Sequence, residues 1–120
     1  MDRSKDTAIT IVPNRRRVRV LFQGRVIADT TRALTLNEPD LPPVSYIPRE
    51  DADMSLLERT TQHSHCPHKG DAAYYTIRVP GAAAENAVWT YEHPYASVAA
   101  IQNHLAFYPN RVDRIEEMAE

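Results

Sequence analysis

The side chains best able to do chemistry in this chain lie in one eleven-residue window, from Thr61 to Asp71. The window holds three of the five His, the only Cys and one of the two Lys. Cys66 could serve as a nucleophile or redox group, because a neighbouring cation such as Lys69 favours the thiolate. His65 could carry protons or add positive charge. The alternative for Cys66 is a small buried apolar residue, which is the commoner role of a free Cys.

A zinc site is the second chemistry that this window suggests, because His and Cys side chains bind zinc. The four candidate ligands are His63, His65, Cys66 and His68. Structural zinc sites usually combine two separated pairs of ligands, whereas these four lie within six residues and the sequence has no second Cys. Adjacent side chains of an extended segment also point to opposite sides. We therefore expect no metal and no other cofactor.

Composition is that of an ordinary soluble domain. The chain has 120 residues, of which 42% are hydrophobic and 25% charged, enough for one domain with a sizeable core. Its formal net charge of -2 predicts neither a nucleic-acid partner nor binding to a membrane surface. No apolar run approaches the length of a membrane span or follows a charged leader. Because a single Cys cannot form an internal disulfide, we expect a cytoplasmic protein.

The elements that must position these residues are mostly strands. Short β-branched and aromatic runs separated by Pro and Gly predict a mainly β, antiparallel domain with one or two short helices. The strongest strand is predicted at 72–79, and residues 86–91 return after a turn at Gly81. The window itself is predicted to be a loop, because Pro67 and Gly70 both interrupt regular structure.

Three further elements are predicted with definite positions. A strand is expected at 33–37, a helix beginning near Pro94, and a short terminal helix over 111–120. Residues 17–29 predict a hairpin. A three-residue loop ending at Gly24 sorts polar and apolar residues better than a two-residue turn, because it pairs Val20 with Val26 and Arg17 with Asp29.

Six motifs together resemble the bacterial domain-of-unknown-function 427 family, over about residues 15–113. They are Arg17-Val18-Arg19-Val20, Ile27-Ala28-Asp29-Thr30, Tyr46-Ile47-Pro48-Arg49-Glu50-Asp51, His65-Cys66-Pro67-His68-Lys69-Gly70, Ala84-Glu85-Asn86-Ala87-Val88-Trp89-Thr90-Tyr91 and His104-Leu105-Ala106-Phe107-Tyr108. Residues 1–14 would then form an N-terminal arm and first strand, and residues 114–120 a C-terminal tail.

The resemblance implies a fold but no activity. The family resembles the β-tent fold, shared with methionine sulfoxide reductase B and the cereblon ligand-binding domain. Many proteins of that fold hold zinc with two pairs of Cys, which this chain lacks, and the family usually has an aromatic residue at position 68. Its occasional nucleotidyltransferase-like label would require a Gly-Ser turn before two metal-binding acids. Asp51 and Asp53 have the spacing of such acids, but no Gly precedes them nearby.

Three hypotheses follow from these residues. The first is a pocket that binds a small molecule or anion, as distinctive polar groups beside aromatic residues suggest. Its polar side would comprise Arg49, Glu50, His65, Cys66 and Lys69, and its apolar wall Tyr46, Tyr74 and Trp89. The second is an enzyme that uses Cys66 as nucleophile or redox group. The third is a structural or interaction module in which the motif locks a turn. The oligomeric state is open.

Overall fold

Ten β-strands in two antiparallel sheets make up most of the chain in the computed structural model, which describes residues 8–119. In chain order they are β1 (Thr10–Asn14), β2 (Arg17–Phe22), β3 (Arg25–Thr30), β4 (Ala33–Asn37), β5 (Val44–Pro48), β6 (Leu57–Cys66), β7 (Gly70–Val79), β8 (Ala82–Tyr91), β9 (His104–Phe107) and β10 (Arg114–Met118). The larger sheet has the order β1-β4-β5-β9-β8-β7-β6, and the smaller has the order β10-β2-β3.

The prediction of a mainly β domain is confirmed. β4 begins and ends where predicted, and β7 contains the whole β-branched and aromatic run 72–79. β8 follows a turn at Gly81, where φ is 83°, a left-handed conformation that favours Gly. Across the described residues, no helix combines the length and apolar character that crossing a membrane requires.

The predicted helices take other forms. The expected helix near Pro94 is a 3₁₀ segment, Ala96–Ile101, interrupted at Val98. The terminal helix predicted over 111–120 is wrong. Residues of this segment form β10 instead, because the edge of β2 offers backbone partners and Ile115 packs against the core between the sheets. The remaining 3₁₀ turns of the described chain are Arg49–Asp51, Met54–Leu56 and Pro109–Arg111.

The predicted register of the β2–β3 hairpin is also wrong. The strands join through a two-residue turn, with φ of 52° at Gln23 and 74° at Gly24. A register shift follows between Val20 and Leu21, so that Val20 faces Ala28 rather than Val26. The shift places the buried Val18 opposite the buried Thr30, whereas a regular two-residue hairpin would pair Val18 with Asp29. Arg17 still binds Asp29, diagonally, through two hydrogen bonds of 2.9 and 2.6 Å.

The window around Cys66 is strand rather than loop, contrary to the prediction. β6 runs through to Cys66, and the chain reverses at Pro67 to Lys69 before β7 begins at Gly70. Pro67 therefore ends a strand instead of interrupting one. β6 lies at the edge of the larger sheet, and its side chains from Thr61 onward are mostly exposed and polar.

Both faces of the central strands of the larger sheet are buried. One face packs against the smaller sheet and contributes Tyr75, Val88 and Leu105 to a core that includes Val20 of β2. The opposite face carries a second core of Leu36, Tyr46, Ala72, Tyr74, Tyr91, Val98, Ile101 and Ala106. Because side chains alternate along a strand, the neighbours on β7, 74 and 75, belong to different cores. The second core contains the candidate site.

Candidate functional site

The polar centre of the second core is a buried ion pair between Lys69 and Glu38. Lys69 Nζ donates a 2.6 Å hydrogen bond to Glu38 Oε1, and the two side chains are 9% and 18% exposed. The turn that carries Lys69 is fixed through its backbone. The Lys69 N–H donates to the Cys66 carbonyl at 3.2 Å, and its carbonyl accepts from the Tyr95 N–H at 3.0 Å. The backbone of the turn is thus fixed, and the ion pair with Glu38 holds the ammonium group.

Aromatic side chains surround this ion pair and form a cleft of about 210 Å³, which we name the tyrosine cleft. Strands β4, β5, β7 and β8 supply its walls, together with the segments that follow β4, β6 and β9. The residues that line it are Leu36, Glu38, Val44, Tyr46, Lys69, Tyr74, Trp89, Tyr91 and Tyr108. An apolar lining with a few convergent polar groups is typical of sites for small molecules.

The rings of the tyrosine cleft are ordered by mutual contacts. Trp89 Nε1 donates to Tyr46 Oη at 3.2 Å, and the two rings meet edge to face with centroids 6.3 Å apart. Trp89 also lies 4.5 Å from the Tyr108 ring, centroid to centroid. Burial raises the pKa of Tyr46 to about 12. Burial, followed by interaction with Tyr74, raises the pKa of Tyr108 to about 12 as well. Both hydroxyl groups are thus neutral at physiological pH.

Four of the eight predicted site residues meet in this cleft: Tyr46, Lys69, Tyr74 and Trp89. The Tyr74 hydroxyl, at the cleft wall, is 2.8 Å from Ser64 Oγ of β6. Cys66 is half-buried and packs against the same core without lining the cleft. These three aromatic side chains and Lys69 therefore line one cleft.

Arg49 and Glu50 lie elsewhere. Arg49 Nη1 donates to Tyr75 Oη at 2.8 Å, and Tyr75 belongs to the core on the opposite face of the sheet. Glu50 is exposed and forms a 3.4 Å ion pair with Arg32. The structure thus does not bring the Arg-Glu-Asp motif to the tyrosine cleft. Arg49 borders a different cleft, together with Arg59 and Tyr75.

His65 is not placed to act as a catalytic base for Cys66. Its Nδ1 lies 2.6 Å from Asp71 Oδ1 across the β6–β7 pair, and its ring packs edge-on against Tyr95. His65 is exposed whereas Cys66 packs inward, as expected for consecutive residues of a strand. No hydrogen bond joins the two side chains in this part of the structure.

Both acids with metal-binding spacing already have protein partners, Asp51 across the fold and Asp53 within a local turn. Asp51 Oδ2 accepts from Thr30 Oγ1 at 2.7 Å, and Asp53 Oδ1 accepts from the backbone and hydroxyl of Ser55. Within residues 8–119, no three His, Cys, Asp or Glu side chains are placed to hold a metal ion.

Sequence reasoning missed Glu38, Tyr91 and Tyr108. The first lies in the Pro-rich loop after β4, and its partner Lys69 is 31 residues away. Nothing in local spacing links them, and only the strand order places both at the cleft. Tyr91 had a usable signal, since it closes the Ala-Glu-Asn motif that already supplied Trp89.

Together the fold and the cleft define a small two-sheet antiparallel β domain with a tyrosine-lined site on one face. The family model described as "Domain of unknown function (DUF427)" matches residues 10–118. The chain therefore belongs to this family, and the match includes β1 and β10. A comparison with curated protein sequences finds no match.

Proposed function

We propose that this protein binds a small molecule in the tyrosine cleft. The observation that carries the proposal is the convergence of a buried ion pair and ordered aromatic rings on one concave surface. Burying a charged pair in an otherwise apolar core is often no better for stability than filling the space with apolar side chains. A role in recognising a ligand would explain why the Lys69–Glu38 ion pair lies beside a cleft.

The charge and size of the cleft indicate the ligand class. The Lys69 ammonium is already neutralised by Glu38, so a neutral or zwitterionic ligand fits without displacing either group. An anion would have to compete with Glu38 for the ammonium. The cleft of about 210 Å³ is smaller than the roughly 300 Å³ lower limit of typical drug-sized sites. We therefore infer a ligand with a single ring that can stack on Trp89 or Tyr108.

Fluorescence of Trp89, the only Trp in the chain, offers a direct binding assay. A library of single-ring compounds, divided into neutral, zwitterionic and anionic sets, would be titrated while the emission is recorded. Tyr108→Ala should weaken binding about 3- to 10-fold through loss of an aromatic contact. Tyr95→Ala is the matched control, because Tyr95 is similarly exposed but lies outside the cleft. Equal ligand affinity in Tyr108→Ala and Tyr95→Ala would contradict the proposal.

The anionic version of the hypothesis has its own test. Glu38→Gln removes the negative charge beside Lys69 while keeping a side chain of similar shape. The anionic version predicts that benzoate binds the unaltered protein more tightly than benzyl alcohol, and that Glu38→Gln widens this difference. Tighter binding of benzyl alcohol to the unaltered protein would favour the neutral ligand class.

The structural-module hypothesis is the second candidate, because the same motif fixes the β6–β7 turn. Gly70 has a φ of 113°, and a Cβ placed there would lie 3.4 Å from the His93 carbonyl oxygen. Under this hypothesis, Lys69→Met lowers stability and leaves every ligand titration unchanged.

The Cys66 enzyme hypothesis stays a prediction, and so do the β-tent assignment and the cytoplasmic location. A rate of thiol alkylation that rises only near pH 8.5, which is about the pKa of an ordinary Cys thiol, would count against the enzyme hypothesis.

A further inference from the structure

A second cleft, on the opposite side of β7 from the tyrosine cleft, carries positive charge in excess of its carboxylates. We name it the arginine cleft. It measures about 520 Å³, and its lining is Arg49, Met54, Leu57, Arg59, Tyr75, Glu92 and Asn103. This volume is within the range of roughly 300–1,000 Å³ that is common for small-molecule sites.

Arg49 is the side chain whose arrangement calls for a ligand. It begins the 3₁₀ turn after the buried Pro48, and its guanidinium lies 5.8 Å from the centroid of the Tyr75 ring. Its single hydrogen bond in the described structure goes to Tyr75 Oη, at 2.8 Å, and no carboxylate lies within ion-pair distance. A guanidinium has five N–H donors, so most of those of Arg49 are available to a ligand.

Arg59 and Glu92 form the other side of the cleft. Their side chains meet in a two-pronged ion pair, with Arg59 Nη2 3.0 Å from Glu92 Oε1. The Glu92 backbone carbonyl also accepts from Gln102 Nε2 at 3.1 Å, which ties this segment to the turn before β9. The cleft therefore holds two guanidinium groups and one carboxylate, which pairs with Arg59, so one positive charge remains uncompensated.

The remaining walls favour a ligand that also has an apolar part. Leu57 is buried and Met54 half-buried at the cleft, while Tyr75 presents its hydroxyl beside Arg49. Asn103, which has a left-handed backbone conformation with φ of 58°, also lines the cleft. We propose that the arginine cleft binds a small organic anion, whose carboxylate or phosphate group pairs with Arg49 and whose body rests on Met54 and Leu57.

This site is independent of the tyrosine cleft, since neither cleft shares a lining residue with the other. NMR titration of the full chain in low-salt, chloride-free buffer would test it with phenyl phosphate, benzoate and the neutral control phenol. Backbone amides of residues 49, 75 and 103 should shift with the two anions and not with phenol. Shifts with phenyl phosphate alone would assign the site to phosphate esters, and equal shifts with benzoate to anions in general.

Variants separate a specific site from diffuse attraction. Arg49→Gln should weaken binding of the anion about tenfold, the effect expected for losing a charged hydrogen-bond partner. Arg32→Gln is the matched control, because Arg32 is also exposed and lies outside the cleft. Glu92→Gln removes the competing carboxylate and should tighten binding. Amide shifts spread over the whole surface, or an unchanged affinity in Arg49→Gln, would overturn the inference.

Discussion

Replacing Lys69 by Met tests how much the buried ion pair contributes to stability. At the observed 2.6 Å contact, an effective dielectric constant near 20 gives a Coulomb attraction of about 6 kcal/mol. Desolvation of several kcal/mol per ion offsets most of this attraction while the pair is intact. Removing one partner leaves the other ion buried with its desolvation uncompensated. We expect Lys69→Met to lower the free energy of unfolding by about 2–4 kcal/mol, a large share of the roughly 5–15 kcal/mol typical of a domain.

Urea denaturation followed by Trp89 fluorescence and circular dichroism would measure this loss. The design is a double-mutant cycle of Lys69→Met, Glu38→Gln and the combined variant. The combined variant should lose less than the sum of the single changes by about 1.5 kcal/mol or more, because the second change no longer strands a charge.

The Arg78–Glu58 pair supplies the matched control for this cycle. It has the same 2.6 Å contact, but its side chains are 60% and 59% exposed. We expect a cost of at most about 1 kcal/mol for Arg78→Met, because water solvates an exposed ion that loses its partner. Added salt should screen the Arg78 pair more than the Lys69 pair. If Lys69→Met costs no more than Arg78→Met, burial does not govern the energetics and the reasoning fails.

Three other perturbations test the backbone, the hydroxyl groups and the core. Gly70→Ala should lower the free energy of unfolding by about 1–3 kcal/mol, because φ there is 113°. Gly24→Asn, at an open turn with φ of 74°, should lower it little. Equal shifts of the melting temperature in the two variants would contradict this expectation. Burial raises the pKa of Tyr46 and Tyr108 to about 12, above the ordinary value near 10, so stability should be lost progressively as pH rises from about 10 to 12. An ultraviolet titration in which all six Tyr of the folded protein ionise near pH 10 would refute the raised pKa of Tyr46 and Tyr108. Leu105→Ala empties a fully buried site between the sheets and should cost about 2–5 kcal/mol in urea denaturation, so a cost below 1 kcal/mol would contradict the described packing.

The positions of the strands could be predicted where burial leaves a local pattern. β4 and β7 carry β-branched and aromatic runs bounded by polar or turn residues, and their predicted positions agree with the structure. Register and sheet order depend on distant partners. The shift between Val20 and Leu21 lets β2 pack against both β10 and the core, and no residue of the hairpin itself records that requirement. The terminal segment was mispredicted for the same reason, since its partner strand lies near the other end of the chain.

The candidate site was predictable in part, because Tyr46, Trp89 and Lys69 belong to distinctive sequence motifs. Which face of the sheet each residue occupies was not predictable. Both faces of β7 are buried, so hydrophobicity does not alternate along it and cannot assign Tyr74 and Tyr75 to opposite cores. The Arg49 side chain binds Tyr75 and therefore lies on the opposite side of the sheet from Tyr74, with which it was predicted to line one pocket.

The pairing of β2 with β10 constrains how the chain can fold during synthesis. Arg19 and Glu116, which form an ion pair across these strands, are 97 residues apart in sequence. The β6–β7 and β7–β8 hairpins can pair as soon as they leave the ribosome, but one edge of β2 has no partner until β10 emerges. During that interval, the open edge of β2 can pair with the wrong strand. Slow translation through the last third of the chain would lengthen this exposure, and a chaperone that covers the edge of β2 would shorten it.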